Sequence, residues 1–342
     1  MMTTRIAING FGRIGRMVFR KAIKDKELEV IAINASYPTE TLAHLIKYDS
    51  VHGHFDGDVT YNEEEIIVDG HRVLKVSNRN PLELPWADLN IDLVIEATGK
   101  FKTKESASQH ITAGAKRVII SAPGKEVDRT IVMGVNEKDF NPETDEVISN
   151  ASCTTNCLAP VVKVLNDQFG IQEGLMTTVH SFTNDQKNLD NPHKDLRRAR
   201  GLTQSIIPTS TGAAKAINEV LPELKGRLHG MALRVPTPNV SLVDLVVDLN
   251  QDVTAEEVNQ AFYNAMEGDM AGIISINDEP LVSVDYTTSP YSSIVDGLST
   301  MVMGSRKVKV LAWYDNEWGY SCRIVDLAKY VSQDIKNGQM TI

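Results

Sequence analysis

Cysteine is scarce in this 342-residue chain: only Cys153, Cys157 and Cys322. An odd, sparse set of this kind does not make a disulfide framework. No C-x-x-C pair occurs, and the eight histidines never fall four apart, so the usual spacings of metal ligands are missing and no metal is expected. The tight pair in HGH (52–54) reads as a turn. No apolar run approaches the roughly 18 residues of a membrane span. The first residues, MMTTRIAING, enter a strand almost at once, so neither a signal peptide nor a membrane is expected and the chain reads as cytoplasmic. Clustered positive charge is missing too. The net charge is -10, and the densest basic run, DLRRAR (195–200), is ordinary for a solvated loop. Nucleic acid needs a concentrated basic face, so it is not an expected partner. There are no repeats and no low-complexity linker.

What is present is an ordinary globular composition, 42% hydrophobic and 23% charged, on a chain long enough for about two domains. Over residues 5–150, short β-branched runs ending in small residues alternate with amphipathic stretches such as 13–25 and 103–113. The runs are RIAING, LEVIAINA, DLVIEATG, KRVIISAP and EVISNA. This alternation predicts a parallel sheet covered on both faces, an α/β Rossmann-type dinucleotide-binding domain. Ligands of such sheets bind at the carboxyl ends of strands, where Gly10, Thr98, Gly99 and Ser121 fall. Beyond residue 151 the pattern changes to a helix near 153–167, then long strand-like runs at 171–182, 228–236, 240–250 and 299–314. These predict an α+β catalytic domain with a mostly antiparallel sheet. The expected division is 1–151 with 317–342 for the first domain, and 152–316 for the second. The aperiodic stretch 183–206 is a long loop of the functional or interface kind. A last helix, about 318–337, is expected to pack back on the first domain.

The segment NGFGRIGR carries Gly10-Phe11-Gly12-Arg13-Ile14-Gly15. The glycines permit a tight turn and close approach to a pyrophosphate, which the following helix start favours. The motif follows an apolar strand and opens a helix, the context that gives it weight. The fingerprint expects an acid about 20 residues on, bonding the ribose hydroxyls. Here stand Asn34, Ala35 and Ser36, and the next acid, Glu40, lies past Pro38. Ala35 removes repulsion of a 2′-phosphate, and Ser36 offers it a hydroxyl and an N–H. The preferred cofactor is therefore NADP, with NAD the weaker alternative.

In SNASCTTNC (149–157) Cys153 is expected in the first turn of a helix, where free N–H groups favour a thiolate. Cys157, one turn further, reads as a buried small hydrophobe. His180 ends a strand in TTVHSFTNDQ and is followed by Thr183 and Asp185; sequence spacing alone does not bring it to Cys153. Arg200 and Arg234 are candidate anion ligands, and TSTGAAK (209–215) is a second glycine-containing helix start suited to phosphate.

Taken together, AINGFGRIGR, SNASCTTNCLAP, TNDQ, DLRRAR, IIPTSTGAAKA and WYDNEWGYS resemble phosphorylating glyceraldehyde-3-phosphate dehydrogenase from residue 5 to about 330. NAS at 34–36 resembles its NADP-preferring, gluconeogenic bacterial branch, the type B enzyme; the glycolytic branch typically has Asp where Ala35 stands. The resemblance implies interconversion of glyceraldehyde 3-phosphate and 1,3-bisphosphoglycerate through a thioester on Cys153, with inorganic phosphate as second substrate. His180 would be the base, would lower the thiol pKa, and would share the oxyanion with the Cys153 N–H. Asn316 would orient the nicotinamide and Tyr320 flank it. Thr183, Asp185 and Arg234 resemble the site for the substrate C3 phosphate. Ser152, Thr154, Thr211 and Gly212, with Arg200 nearby, resemble the inorganic-phosphate site. Phe11, Gly12, Arg13, Ile14, Arg79, Thr98, Phe101 and Ser121 would line the cofactor. The family implies a homotetramer in which the loop 183–206 approaches a neighbour's cofactor. Asn191 stands there where NAD-type relatives often have an apolar residue, and would reach the 2′-phosphate across the interface.

The alternatives are the NAD-dependent glycolytic form, erythrose-4-phosphate dehydrogenase, and a non-catalytic nucleotide-sensing or adhesive protein. The second tends to lack the STGAAK motif, intact at 210–215. The third has no use for Cys153, His180, Arg200 and Arg234 together.

Overall fold

The computed structural model describes residues 3–333. Its internal contacts divide the chain into two units. One holds the residues up to Ile131, Glu137–Ala151 and those from Ser321 onward; the other holds Val132–Asn136 and Ser152–Tyr320.

The first unit contains β1 (Thr4–Asn9), α1 (Arg13–Ala22), β2 (Leu28–Asn34), α2 (Thr39–Lys47), β3 (Tyr48–Asp49), β4 (Gly53–His54), β5 (Val59–Tyr61), β6 (Glu65–Val68) and β7 (His71–Val76). It continues with β8 (Leu93–Glu96), α3 (Lys104–Ala107), α4 (Gln109–Thr112), β9 (Arg117–Ile120), β10 (Arg129–Thr130) and β11 (Val147–Ser149). Nine strands form one sheet in the order β10-β11-β9-β8-β1-β2-β7-β6-β5. The central ladders are parallel, as β-branched runs joined by helical crossovers require. At one edge β5, β6 and β7 are antiparallel, a meander that apolar periodicity did not reveal. Its signal is the Asp69-Gly70 pair, both at positive φ (49° and 84°), the pattern of a tight two-residue hairpin. HGH is likewise a small hairpin, since β4 pairs with β3.

Inside this unit lies a closed polar cluster. His110 is 0% exposed. Its Nδ1 accepts from Trp86 Nε1 at 3.0 Å, and its Nε2 faces Glu96 Oε2 at 3.1 Å. Glu96 also accepts from Asn9 Nδ2, from the Thr98 N–H and from the Thr98 hydroxyl. Four donors around one carboxylate satisfy a polar group that burial would otherwise penalise.

The second unit contains α5 (Cys153–Phe169), β12 (Ile171–Ser181), β13 (Ile207–Ser210), α6 (Ala213–Val220), β14 (Leu228–Val235), β15 (Ser241–Leu249), α7 (Ala255–Glu267) and β16 (Ile274–Asn277). It continues with β17 (Ser293–Asp296), β18 (Met301–Met303) and β19 (Lys307–Tyr314). The sheet runs β13-β14-β12-β15-β19-β17-β16, with β18 beside β19. It is antiparallel except for the β12–β14 and β16–β17 pairs. Strict buried/half-buried alternation along β15 gives the sheet one core face, and α5 packs against β15, β17 and β19. The opposite face leaves Leu175, Met231, Met301 and Met303 exposed. The same face carries the Lys309–Asp244 and Lys307–Asp248 ion pairs. The expected run 299–314 is split by a turn into β18 and β19. A final helix, α8 (Trp318–Tyr330), starts in this unit and continues in the first; residues 334–337 of the expected helix lie outside the described residues. No described helix is long and apolar enough to cross a membrane.

Candidate active site

In the first unit the chain leaves β1 at Asn9 and turns at Gly10, whose φ is +94°. A Cβ on Gly10 would lie 2.7 Å from the Thr98 nitrogen, and one on Gly15 would lie 2.1 Å from the Gly10 oxygen. A Cβ on Gly12 would meet no protein atom. Gly10 and Gly15 thus close the strand–helix contact, and Gly12 keeps open the space that a pyrophosphate needs at a helix start. The turn borders a cavity of about 430 Å³. Of the expected residues, Gly10, Phe11, Gly12, Asn34 and Ala35 line it, as do Ser36, Arg79, Thr98 and Phe101. Ile14, Gly15, Gly99 and Ser121 do not.

Arg13 is not on the cavity wall either. Its guanidinium grips Asp49 with two hydrogen bonds. Burial works against the Asp49 charge, but the Arg13 bonds and the N–H groups of His52 and Val51 outweigh it and hold the carboxyl well below the usual range. Arg16, one residue past Gly15, lines the cavity instead, as do Asn78 and Lys100. No glycine motif names these three. The wall therefore carries Arg16, Arg79 and Lys100 but no Asp or Glu. Asn34 is fully engaged. Its Nδ2 donates to Asn9 Oδ1 and to the Asn78 carbonyl, both at 2.7 Å, and its Oδ1 accepts from the Asn78 N–H at 3.0 Å. By contrast Ser36 and Arg79 are exposed.

In the second unit Ser152 caps α5, its Oγ accepting from the Thr155 N–H at 3.0 Å. Ala151, just before it, sits at φ +54°, a left-handed turn that swings the chain into the helix. Cys153 is consequently the first helical residue and keeps intermediate exposure. His180 stands near the end of β12, in register with Arg234 on β14. The fold brings the two together: Cys153 Sγ lies 3.5 Å from His180 Nε2.

The imidazole environment is crowded on its far side. Nδ1 lies 2.7 Å from the Ser181 carbonyl and 2.6 Å from Arg234 Nη1, which also donates to that carbonyl at 3.0 Å. Tyr314 stacks edge-on against the ring, its hydroxyl held between Thr154 Oγ1 and Thr178 Oγ1 at 2.9 Å each. Burial, then the Arg234 charge, push the His180 pKa down to about 3. Burial likewise pushes the Cys153 thiol up, with Arg234 the first influence pulling it back. The charge beside the thiol is that of Arg234. Cys157, one turn on, is fully buried with its thiol pKa strongly raised by burial, and is inert.

The anion ligands need one correction. Arg200 is not beside the nucleophile: it pairs with Asp190 at 3.0 Å on the surface, the side chains 67% and 63% exposed. The guanidinium that turns inward is Arg198. It donates to Thr209 Oγ1 at 2.7 Å and to Asp185 Oδ2 at 2.8 Å, and its charge bears on Arg234. Arg198 lies one turn after Asp195, 3.4 Å away, and that i,i+3 spacing was the available signal. Asp185 faces Arg198 and His193. Thr183 is tied to Gln186 by its N–H at 2.9 Å. Thr154 spends its hydroxyl on Tyr314. Thr211 Oγ1 accepts from the Ala213 N–H at 3.2 Å, and Gly212, where a Cβ would meet nothing, precedes α6. Arg234 Nε is buried without a hydrogen-bond partner, the mark of a donor kept for an anion. Asn316 is buried, its Oδ1 accepting from Ser181 Oγ and Ser241 Oγ at 2.7 and 2.8 Å. Tyr320 is buried, and Asn191 is exposed on the long loop. Among the described residues no His/Cys/Asp/Glu group could hold a metal ion.

Residues 4–104 match the glyceraldehyde 3-phosphate dehydrogenase NAD binding domain, and residues 152–316 match the C-terminal domain of the same enzyme. The chain belongs to the glyceraldehyde-3-phosphate dehydrogenase family. It is 66% identical over 336 residues to glyceraldehyde-3-phosphate dehydrogenase 2 of Bacillus subtilis (strain 168), covering 98% of this chain and 99% of that protein. A protein of the same name from Staphylococcus epidermidis (strain RP62A) is 61% identical over 340 residues, covering 99% of both chains. One from Staphylococcus aureus (strain MRSA252) is 61% identical over 331 residues, covering 96% of both. Membership gives the glycine turn its ligand class, a nicotinamide dinucleotide, and the cavity beside Gly12 has the shape and charge to take its phosphates.

Proposed function

We propose that the chain is a phosphorylating glyceraldehyde-3-phosphate dehydrogenase that prefers NADP and works in the gluconeogenic direction. The cofactor preference rests on one observation: the cavity beside the glycine turn has three cationic side chains and no carboxylate. NAD binding needs an acceptor for the ribose hydroxyls, and Asn34, the nearest amide, is already used on both ends. Ala35 leaves room for a 2′-phosphate, Ser36 offers it a hydroxyl, and Arg79 a charge. The direction rests on the type B pattern at 34–36.

In the oxidative direction His180 Nε2 takes the thiol proton as Cys153 Sγ attacks the aldehyde carbon of glyceraldehyde 3-phosphate. The oxyanion is held by the Cys153 N–H and takes its proton back from His180, giving a thiohemiacetal. His180 removes that hydroxyl proton again as the carbon is oxidised to a thioester. A dinucleotide, when bound, would supply the hydride acceptor at the nicotinamide C4, which Asn316 would orient and Tyr320 flank. Inorganic phosphate, held by Thr211, Gly212 and Arg198, attacks the thioester and expels the Cys153 thiolate. Covalent catalysis of this kind splits oxidation from phosphorolysis. Arg234, with Thr183 and the Asp185-braced Arg198, suits the C3 phosphate.

A homotetramer is part of this reading, supported by the uncovered face of the second-unit sheet. In it Asn191 reaches a neighbour's 2′-phosphate. Comparing kcat/KM for NADP and NAD tests the proposal; equal values or an NAD preference would sink the cofactor assignment.

A further inference from the structure

Two β-branched residues of the second unit lie in the left-handed backbone region, Val240 at φ +66° and Thr288 at φ +65°. Such residues do not stay there unaided. One buried carboxylate bonds the side chain just before the first and the N–H of the second. Asp315, 1% exposed, accepts at Oδ2 from Asn239 Nδ2 at 2.8 Å and from the Thr288 N–H at 2.6 Å. Its Oδ1 accepts from the Glu317 and Trp318 N–H groups at 2.9 and 2.8 Å, which caps the start of α8. Val240, packed with Tyr286 and Ile294, leads directly into Ser241. Ser241 Oγ accepts from the Ser181 N–H at 3.1 Å and bonds Asn316 Oδ1 at 2.8 Å, beside Ser181 Oγ at 2.7 Å.

We propose that Asp315 is a positioning residue for the nicotinamide end of the cofactor: it locks Val240 in its left-handed turn, which sets Ser241 to clamp the Asn316 amide. With one end of the amide gripped by two hydroxyls, its plane is fixed and its other end is left for the ligand. The strain at Val240 is held because a relaxed extended residue there would carry Ser241 away from Asn316. This inference rests on Asn316 orienting the nicotinamide, as proposed above.

The test measures, by calorimetry, binding of NADP and of 2′-phospho-ADP-ribose, which lacks the nicotinamide, together with kcat and KM. In Asp315→Asn the new NH2 cannot accept, so two of four donors lose their partner. NADP affinity should fall about tenfold and kcat by more, with affinity for the fragment unchanged. Ser241→Ala should show the same split on an intact fold, which covers failure of Asp315→Asn to fold. Val240→Gly added to Asp315→Asn should recover most of kcat, because glycine takes positive φ freely. A purely structural Asp315 would lower fragment and NADP binding together. Asn316→Ala separates the two levels. If it leaves NADP binding and kcat unchanged, the reading of Asn316 fails. If it lowers them while Ser241→Ala and Asp315→Asn do not, the inference fails alone.

Discussion

Each unit buries a histidine, and the two could hardly be used more differently. His110 has Trp86 on one ring nitrogen and Glu96, with Asn9 beside it, on the other, all inside a closed cluster with four donors on a single carboxylate. His180 has two groups competing for Nδ1 and a thiol at Nε2. A closed inventory of partners makes scaffold; an open or oversubscribed one makes chemistry. The arginines divide the same way. Arg13 is closed by Asp49 and Arg200 by Asp190, while Arg234 keeps a buried Nε without a partner and Arg79 stands open on the cofactor cavity.

That contrast can be broken first at the open sites. Cys153→Ala should cut kcat by about 10⁴-fold or more, and His180→Asn by about 10²–10⁴-fold, both at unchanged melting temperature. A variant that stays active while folded would end the covalent account. Arg198→Ala removes charged hydrogen bonds worth about 1.5–3 kcal/mol, so KM for phosphate or triose phosphate should rise about 10–100-fold. Arg200→Ala should change it less than about twofold, as exposed ion pairs do. The reverse ranking would restore Arg200 to the site. Ala35→Asp, with a like charge against the 2′-phosphate, should shift kcat/KM toward NAD by at least about tenfold, roughly 1.4 kcal/mol. The closed site should answer in the opposite currency: His110→Leu strands a buried carboxylate and should cost about 1–3 kcal/mol of stability, read by urea unfolding, with kcat nearly intact.

A further effect is on acid stability. The His180 pKa falls from 6.5 to about 3 on folding. Between those values the unfolded chain binds a proton that the folded one refuses, so this residue lowers stability as pH falls from 6.5 toward 3. Above 6.5 it contributes nothing. His180→Asn should flatten the stability–pH curve in that window and leave it unchanged at neutral pH.

The fold was largely legible because its elements are long and periodic. β1, β2, β8, α5 and β15 all follow apolar runs whose period matches their burial. The β5–β7 meander was missed because its short strands announce themselves by a turn at Asp69-Gly70, not by periodicity. Within the site, Cys153 was readable from its helix-opening polar context. That Cys153 and His180 meet is a fact of topology, set by the placement of β12 beside β14 and β15. DLRRAR points to an anion-binding arginine, but which one turns inward depends on where Asp185 and Asp190 fall in space. Ser241, Tyr314 and Asp315 had no motif, since each acts through a neighbour.

The most direct measurement is a single turnover with NADP and glyceraldehyde 3-phosphate in the absence of inorganic phosphate, quenched in acid and mapped by mass spectrometry. The account predicts one NADPH per active chain, an acyl group on Cys153 alone, and its release when phosphate is added. NADPH formation that leaves Cys153 unmodified, or that waits for phosphate, would contradict it.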